Sequence, residues 1–144
     1  MKYMKMFAVV AIASFSLAIG CATLKPGADP LVVRTEQALT MGKSSFDLVV
    51  LFDHANRPFW ATNAPAFHAF AEWLRQPQPV PEITNTLPRA AAMLYSLDVI
   101  KRDYQASKAS SNYLWSALVT FESAANQASA WLVVATNAPA SINP

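Results

Sequence analysis

Three prolines that each follow a polar capping residue constrain the fold of this chain more than any other feature. Asp29-Pro30 places proline directly after an aspartate, and the segments 63–65 and 86–88 place it two residues after an asparagine or a threonine. Asp, Asn and Thr are favoured at helix N-caps, and proline is favoured in the first helical turn. New helices are therefore predicted to begin at about residues 30, 64 and 87.

Apolar residues between these boundaries recur at steps of three and four, which is the period of an amphipathic helix. The pattern predicts helices over residues 30 to about 56, 64–75, 87 to about 107, and about 113–137. Ser and Asn enrichment at 107–112 predicts a turn between the last two, because these residues compete with helical backbone. One continuous helix from residue 87 onward is the alternative. The clearest stripe comprises Leu114, Leu118, Phe121, Ala125, Ala128, Leu132 and Ala135.

No segment shows the alternation of a β-strand together with turn residues. Alternate prolines at residues 76–81 predict an extended, polyproline-type connector. Residues 113–134 are apolar, but Glu122 lies near their middle, so an amphipathic helix is predicted there rather than a membrane span. We expect an all-α protein, a small antiparallel bundle of three to four helices. The bundle would occupy residues 29–137, and residues 138–144 would form a flexible tail.

The first twenty residues have the character of a secretory signal. Lys2 and Lys5 precede fourteen residues without a charge, at 6–19. A helix of that length spans about 21 Å, which is less than the roughly 30 Å of a bilayer core. The segment Ala18-Ile19-Gly20-Cys21 then resembles the lipobox of bacterial lipoproteins, with Ala18 standing where that class usually has leucine. An ordinary signal peptide, cut near Gly20 or Ala22, is the alternative.

The resemblance implies that residues 1–20 are removed and that Cys21 carries a diacylglycerol and an amide-linked acyl chain. Two or more chains make membrane anchoring stable. Residues 21–28 would then be a lipidated tether. Because Ala22, and not aspartate, follows the cysteine, the resemblance implies a cell-envelope location, on the outer membrane facing the periplasm if the source has two membranes.

Charge and cysteine content exclude several functions. The formal net charge is +2, from eleven basic and nine acidic residues, and removing Lys2 and Lys5 leaves nine of each. Without a basic stripe, nucleic-acid binding has no electrostatic support. Cys21 is the single cysteine, so no disulfide can form within the chain.

Candidate catalytic and metal-ligating residues are few. The two histidines, His54 and His68, have Asp53 and Glu72 near them in the sequence, and this set of side chains suits zinc. Because Asp53 and His54 would point about 100° apart on a helix, we expect polar surface residues instead, with a His68–Glu72 contact. The serines lack a nucleophile-elbow context, and no glycine-rich phosphate loop is present. We therefore predict no enzyme activity, no metal and no cofactor.

Five aromatic residues crowd the segment before the proline-rich connector. They are Phe59, Trp60, Phe67, Phe70 and Trp73. Aromatic side chains bury large areas and also favour interfaces, so the group either closes one end of the core or forms a docking patch anchored by Trp60 and Trp73. Trp60 is predicted to be the more exposed of the two, because it lies between predicted helices.

These features together predict a non-catalytic envelope lipoprotein whose helical body binds or scaffolds another envelope component. The expected partners are the membrane, through the N-terminal lipid, and an envelope protein. A carrier of a small apolar ligand is one alternative, and a lysis- or stress-related envelope lipoprotein is the other.

Overall fold

The computed structural model describes residues 27–80 and 83–138. Along them lie the elements α1 (Pro30–Ala55), α2 (Arg57–Asn63), α3 (Pro65–Arg75), β1 (Pro77–Val80), β2 (Ile83–Pro88), α4 (Arg89–Gln105) and α5 (Ser111–Thr136). The mostly helical character is as predicted. The predicted leader, Cys21 and all but the first residue of the predicted flexible tail lie outside the described residues.

Three long helices form an up-down-up bundle. Arg34 pairs with Glu122, and Ser45 lies 3.1 Å from Ser129 (Oγ to Oγ), so α1 and α5 run in the same direction. Lys101 pairs with Glu36 on α1, and three residues later Tyr104 reaches Asp29, so α4 runs the opposite way. The short helix α3 also runs against α1. The N-terminus of α1 therefore lies at the same end of the bundle as the start of α5, and we call this end the entry pole.

The core face of α5 is the one that the sequence predicts. All seven residues of its apolar stripe are buried. On α1, Ala38, Gly42, Ser45 and Val49 are buried as the periodicity requires, and Thr35, Phe46 and Asp53 are buried with them. Ser110 caps α5 by accepting a hydrogen bond from the Tyr113 N–H at 3.2 Å, so the predicted turn before this helix is confirmed.

Helices α1 and α5 approach closely where α1 carries a glycine. A β-carbon built on Gly42 would lie 2.3 Å from Cζ of Phe121 and 2.5 Å from its Cε1. Phe121 in turn packs edge-on against Phe46, with ring centroids 5.7 Å apart. The missing side chain of Gly42 thus leaves the space that the Phe121 ring fills.

The absence of strands in the sequence-based prediction is wrong. β1 and β2 pair as an antiparallel hairpin, with Pro77 opposite Pro88, Gln78 opposite Leu87 and an irregularity between Pro79 and Val80. A strand at a sheet edge tolerates proline because only alternate N–H groups face its partner. Within the extended connector predicted at 76–81, residues 77–80 are therefore one strand of a hairpin.

Two predicted caps are also wrong in detail. Thr86 lies within β2, and α4 begins at Arg89 with Pro88 in the N-cap position and no side-chain cap. The Asn63 side chain does not cap α3; its Nδ2 donates to the Phe59 carbonyl at 3.0 Å instead. Residues 57–63, predicted to be a connection, form α2. No helix in the described part of the chain combines the length and apolarity needed to cross a bilayer.

A hydrogen bond at the entry pole joins α4 to the cap of α1. The Tyr104 hydroxyl donates to Asp29 Oδ2 at 2.7 Å, while Asp29 Oδ1 accepts from the Leu31 N–H at 2.8 Å. The hydrogen bond from Tyr104 is the main cause that lowers the pKa of Asp29 below its usual value, and the bond from the Leu31 N–H lowers it further. The same bond raises the pKa of Tyr104. A carboxyl with a lowered pKa stabilises the fold above its unfolded-state pKa, and this contribution is lost as the pH falls through the folded-state pKa.

Substitution of Tyr104 by phenylalanine is therefore expected to raise the pKa of Asp29 toward its ordinary value. Acid-induced loss of the α1 cap should then begin at a higher pH in Tyr104→Phe than in the parent. The measurement is the pH titration of the Asp29 carboxyl carbon by NMR, with Tyr113→Phe as the control. An Asp29 pKa that is equal in the two variants would contradict this prediction.

Candidate functional site

The far end of the bundle holds a buried carboxylate. Asp53 lies in the last turn of α1, about 35 Å along the helix from Pro30, and its side chain has no solvent exposure. The expectation that Asp53 is a surface residue is therefore wrong. A buried carboxylate is stable only when it is paired and hydrogen-bonded, so the groups around Asp53 define the site.

Arg75, in the last turn of α3, is the main cationic partner of Asp53. Its Nη1 lies 2.5 Å from Asp53 Oδ2, and its Nη2 donates to the Val50 carbonyl of α1 at 2.8 Å. The Arg75 side chain is about one-quarter exposed. One guanidinium therefore neutralises the buried charge and fixes α3 against the C-terminal half of α1.

Glu72 and Arg57 extend the cluster toward solvent. Arg75 Nη1 also contacts Glu72 Oε1 at 2.6 Å, and Arg57 Nη2 lies 2.5 Å from the same oxygen. Arg57 Nε lies 4.0 Å from Asp53 Oδ2. Two carboxylates and two guanidiniums thus compensate each other, and they connect α1, α2 and α3 at one corner.

His68 completes the cluster on the other side of Asp53. Its Nδ1 lies 2.6 Å from Asp53 Oδ1, while His54 is exposed. The expected His68–Glu72 contact does not form a hydrogen bond; Glu72 pairs with the two arginines. A carboxylate that orients an imidazole also occurs in hydrolases, but within the described residues no hydroxyl or thiol hydrogen-bonds to His68. The absence of enzyme activity stays a prediction.

A metal ion would have to compete with Arg75 in this cluster. One ligand atom from each of Asp53, His68 and Glu72 lies within 4.8 Å of the other two, close enough for a shared cation. The Arg75 guanidinium, however, already contacts both carboxylates. A divalent ion would displace it and leave its charge unpaired, so the geometry favours a structural ion-pair network.

Trp60 is buried, and its predicted exposure is wrong. It is 1% exposed, because α2 turns it toward the core. Its indole N–H donates to the Phe52 carbonyl at 2.8 Å, which satisfies one of the carbonyls left without a helical partner at the end of α1. Its ring centroid lies 4.7 Å from that of Phe67 and 5.0 Å from that of Phe59.

The other aromatic residues of this segment also contribute to packing. Phe67 and Phe70 are buried, whereas Phe59 and Trp73 are half-buried. Trp73 stacks on Phe70 at 5.5 Å and is covered on one side by Arg89, whose guanidinium carbon lies 4.6 Å from the ring. The group closes the far end of the core, which is the first of the two interpretations that the sequence allows.

The two arginines of the cluster, Arg57 and Arg75, are not predicted from the sequence. No motif surrounds either residue, although a cation in the last turn of a helix, as Arg75 is, commonly interacts with nearby carbonyls.

Comparison of the chain with protein-family models, with curated proteins and with solved structures finds no match.

Proposed function

We propose that this protein is a lipid-anchored envelope lipoprotein whose helical body is a non-catalytic interaction or scaffolding module. The observation that carries the proposal is Cys21, placed directly after Gly20 and a charge-free run of fourteen residues. In a diderm source the body would be held on the outer membrane and would face the periplasm.

The described body is consistent with such a role. Its only grouping of His, Asp and Glu side chains close enough for a shared ion, within the described residues, is already paired with arginines. The chain enters the bundle at one pole, beside the N-cap Asp29, so a short tether would hold that pole near the membrane. The alternatives, an apolar-ligand carrier or a lysis- or stress-related lipoprotein, have no specific observation in their favour.

The anchor is tested by the intact mass of the protein purified from the membranes of a bacterial host. The expected mass is that of a chain beginning at Cys21, increased by a diacylglycerol and one further acyl chain. Cys21→Ser should lose the added mass and leave the membrane fraction. An unmodified thiol, or a leader still attached, would refute the anchor.

The interaction role is tested by crosslinking in intact cells. The anchored parent should give a discrete crosslinked product with one envelope protein. Cys21→Ser, which lacks the thiol that would carry the lipid, should give less of it. Crosslinking to no protein above the background of an unrelated lipoprotein would contradict the scaffolding role.

A further inference from the structure

Two exposed aromatic side chains lie at the entry pole. Tyr113 is 58% exposed and Trp115 is 47% exposed, both near the beginning of α5. Four other large apolar side chains are prominently exposed, and they are aliphatic: Leu51, Val119, Val133 and Val134. The exposed aromatic surface of the described residues is thus concentrated at one end of one helix.

The point where the chain enters the bundle is next to Trp115. Pro30, Leu31 and Arg34 line a surface groove together with Ser111 and Trp115. Residues 22–28, which precede the N-cap Asp29, span about 25 Å even when fully extended. A membrane anchor at Cys21 would therefore keep Trp115 within a short distance of the lipid surface.

We propose that the entry pole rests on the bilayer, with Trp115 and Tyr113 seated at the level of the lipid headgroups. This inference depends on the proposed lipid anchor. Trp and Tyr favour the membrane–water interface because each joins an apolar ring to a polar group that stays hydrated. The anchor brings the pole to the membrane, and the two rings fix its orientation there.

Arg34 adds a cationic group beside the Trp115 ring. Its guanidinium carbon lies 4.7 Å from the ring centroid, and the same group pairs with Glu122 through Nε at 2.8 Å and Nη2 at 2.7 Å. This arrangement holds the indole in one orientation on α5. Trp115 remains 47% exposed in this arrangement, so part of its ring is available to contact lipid.

The charge at this pole points to zwitterionic lipid. The Arg34–Glu122 pair is neutral overall, and the exposed Lys108 in the α4–α5 turn is close in sequence to Asp103. The described residues of this pole contain no cluster of four or more cations, which is the polybasic character that anionic membranes attract. Contact should therefore depend on the aromatic rings and should occur on phosphatidylcholine.

The test uses the single thiol to supply the anchor chemically. The chain from Cys21 onward contains every described residue, and it is coupled through Cys21 to a maleimide lipid in phosphatidylcholine vesicles. Tryptophan fluorescence is compared between vesicles with ordinary and with brominated acyl chains. We expect quenching in the parent, loss of most of that quenching in Trp115→Phe, and no such loss in Trp131→Phe.

Trp131 is a suitable control because it lies sixteen residues further along α5, about 24 Å from Trp115. Its buried indole N–H has no hydrogen-bond partner, so phenylalanine removes no bond there. Quenching that is equal in Trp115→Phe and the parent, or absent from the parent, would overturn the proposal. A third outcome would also overturn it: the parent shows no quenching in vesicles, and Trp115→Phe loses a crosslinked product in cells. The entry pole would then bind a protein and not the bilayer.

Failure of this test differs from failure of the anchor. The coupling reaction places lipid on Cys21 whether or not cells acylate it. An absence of quenching therefore refutes the contact of the entry pole with the bilayer, and it leaves the proposed acylation of Cys21 to the mass measurement. Far-ultraviolet circular dichroism of each variant is compared with that of the parent, to verify that the two substitutions leave the helices intact.

Discussion

Substitution of Asp53 by asparagine is expected to lower the free energy of unfolding by about 3 kcal/mol, because it leaves the Arg75 guanidinium without its buried partner. The carboxylate has no solvent exposure and accepts contacts from Arg75 at 2.5 Å and from His68 at 2.6 Å. Loss of one member of a buried ion pair typically costs 3–5 kcal/mol. The lower end applies here, since Arg75 is one-quarter exposed and keeps Glu72 as a partner.

Urea unfolding followed by circular dichroism measures this effect, and Asp47→Asn is the matched control. Asp47 is on the same helix and pairs with Lys43 at 2.5 Å, but both side chains are about two-thirds exposed. Exposed pairs contribute little, so the control should change the free energy by less than about 0.5 kcal/mol. Equal stability of Asp53→Asn and Asp47→Asn would show that the buried cluster does not hold the three helices together.

Local periodicity explains why the long helices can be predicted. The apolar residues from Leu114 to Ala135 recur every three or four positions, so they share one face of a helix. That face is expected to be buried against the core. The end points of α1 follow equally local signals, Asp29-Pro30 at the start and Pro58 beyond the end. None of these inferences requires knowledge of a distant residue.

Helix α2 shows how one signal has two interpretations. The break that ends α1 falls at Asn56, and Pro58 has no N–H to continue the hydrogen-bond pattern of α1. The same proline lies in the first turn of α2, where its fixed φ angle suits a helix start. A predicted helix end at about residue 56 takes account of the first effect alone, and it leaves Trp60 between helices rather than buried on one.

The hairpin and the charged cluster depend on distant partners. Prolines at 77 and 79 favour extended backbone, which a polyproline segment and an edge strand share; only pairing with Ile83–Pro88 distinguishes them. Asp53 is likewise separated by 22 residues from Arg75. An isolated carboxylate in a sequence is expected at the surface, and its burial follows from tertiary pairing that no local pattern encodes.

Introduction of a methyl group at Gly42 is expected to destabilise the protein although alanine is the better helix former. Alanine in place of glycine favours a helix interior by about 1 kcal/mol. The new β-carbon, however, would lie 2.3 Å from Phe121 Cζ, and the ring is confined by Phe46 and is only 3% exposed. Overpacking of a filled core typically costs 1–3 kcal/mol, and a contact this short with a confined ring corresponds to the upper half of that range. After the helix-propensity gain is subtracted, a net loss of about 1–2 kcal/mol is expected for Gly42→Ala.

A double-mutant cycle identifies the cause of that loss. Phe121→Leu alone should destabilise the core, because it removes ring atoms from the space beside Gly42. Combined with Gly42→Ala, the smaller side chain leaves room for the methyl group, so the pair should be more stable than the sum of the single effects by about 1 kcal/mol. Ser44→Ala, on the exposed face of the same helix, should change stability by less than about 0.5 kcal/mol. A Gly42→Ala protein as stable as the parent, or additive effects in the cycle, would mean that α1 and α5 do not meet through this glycine.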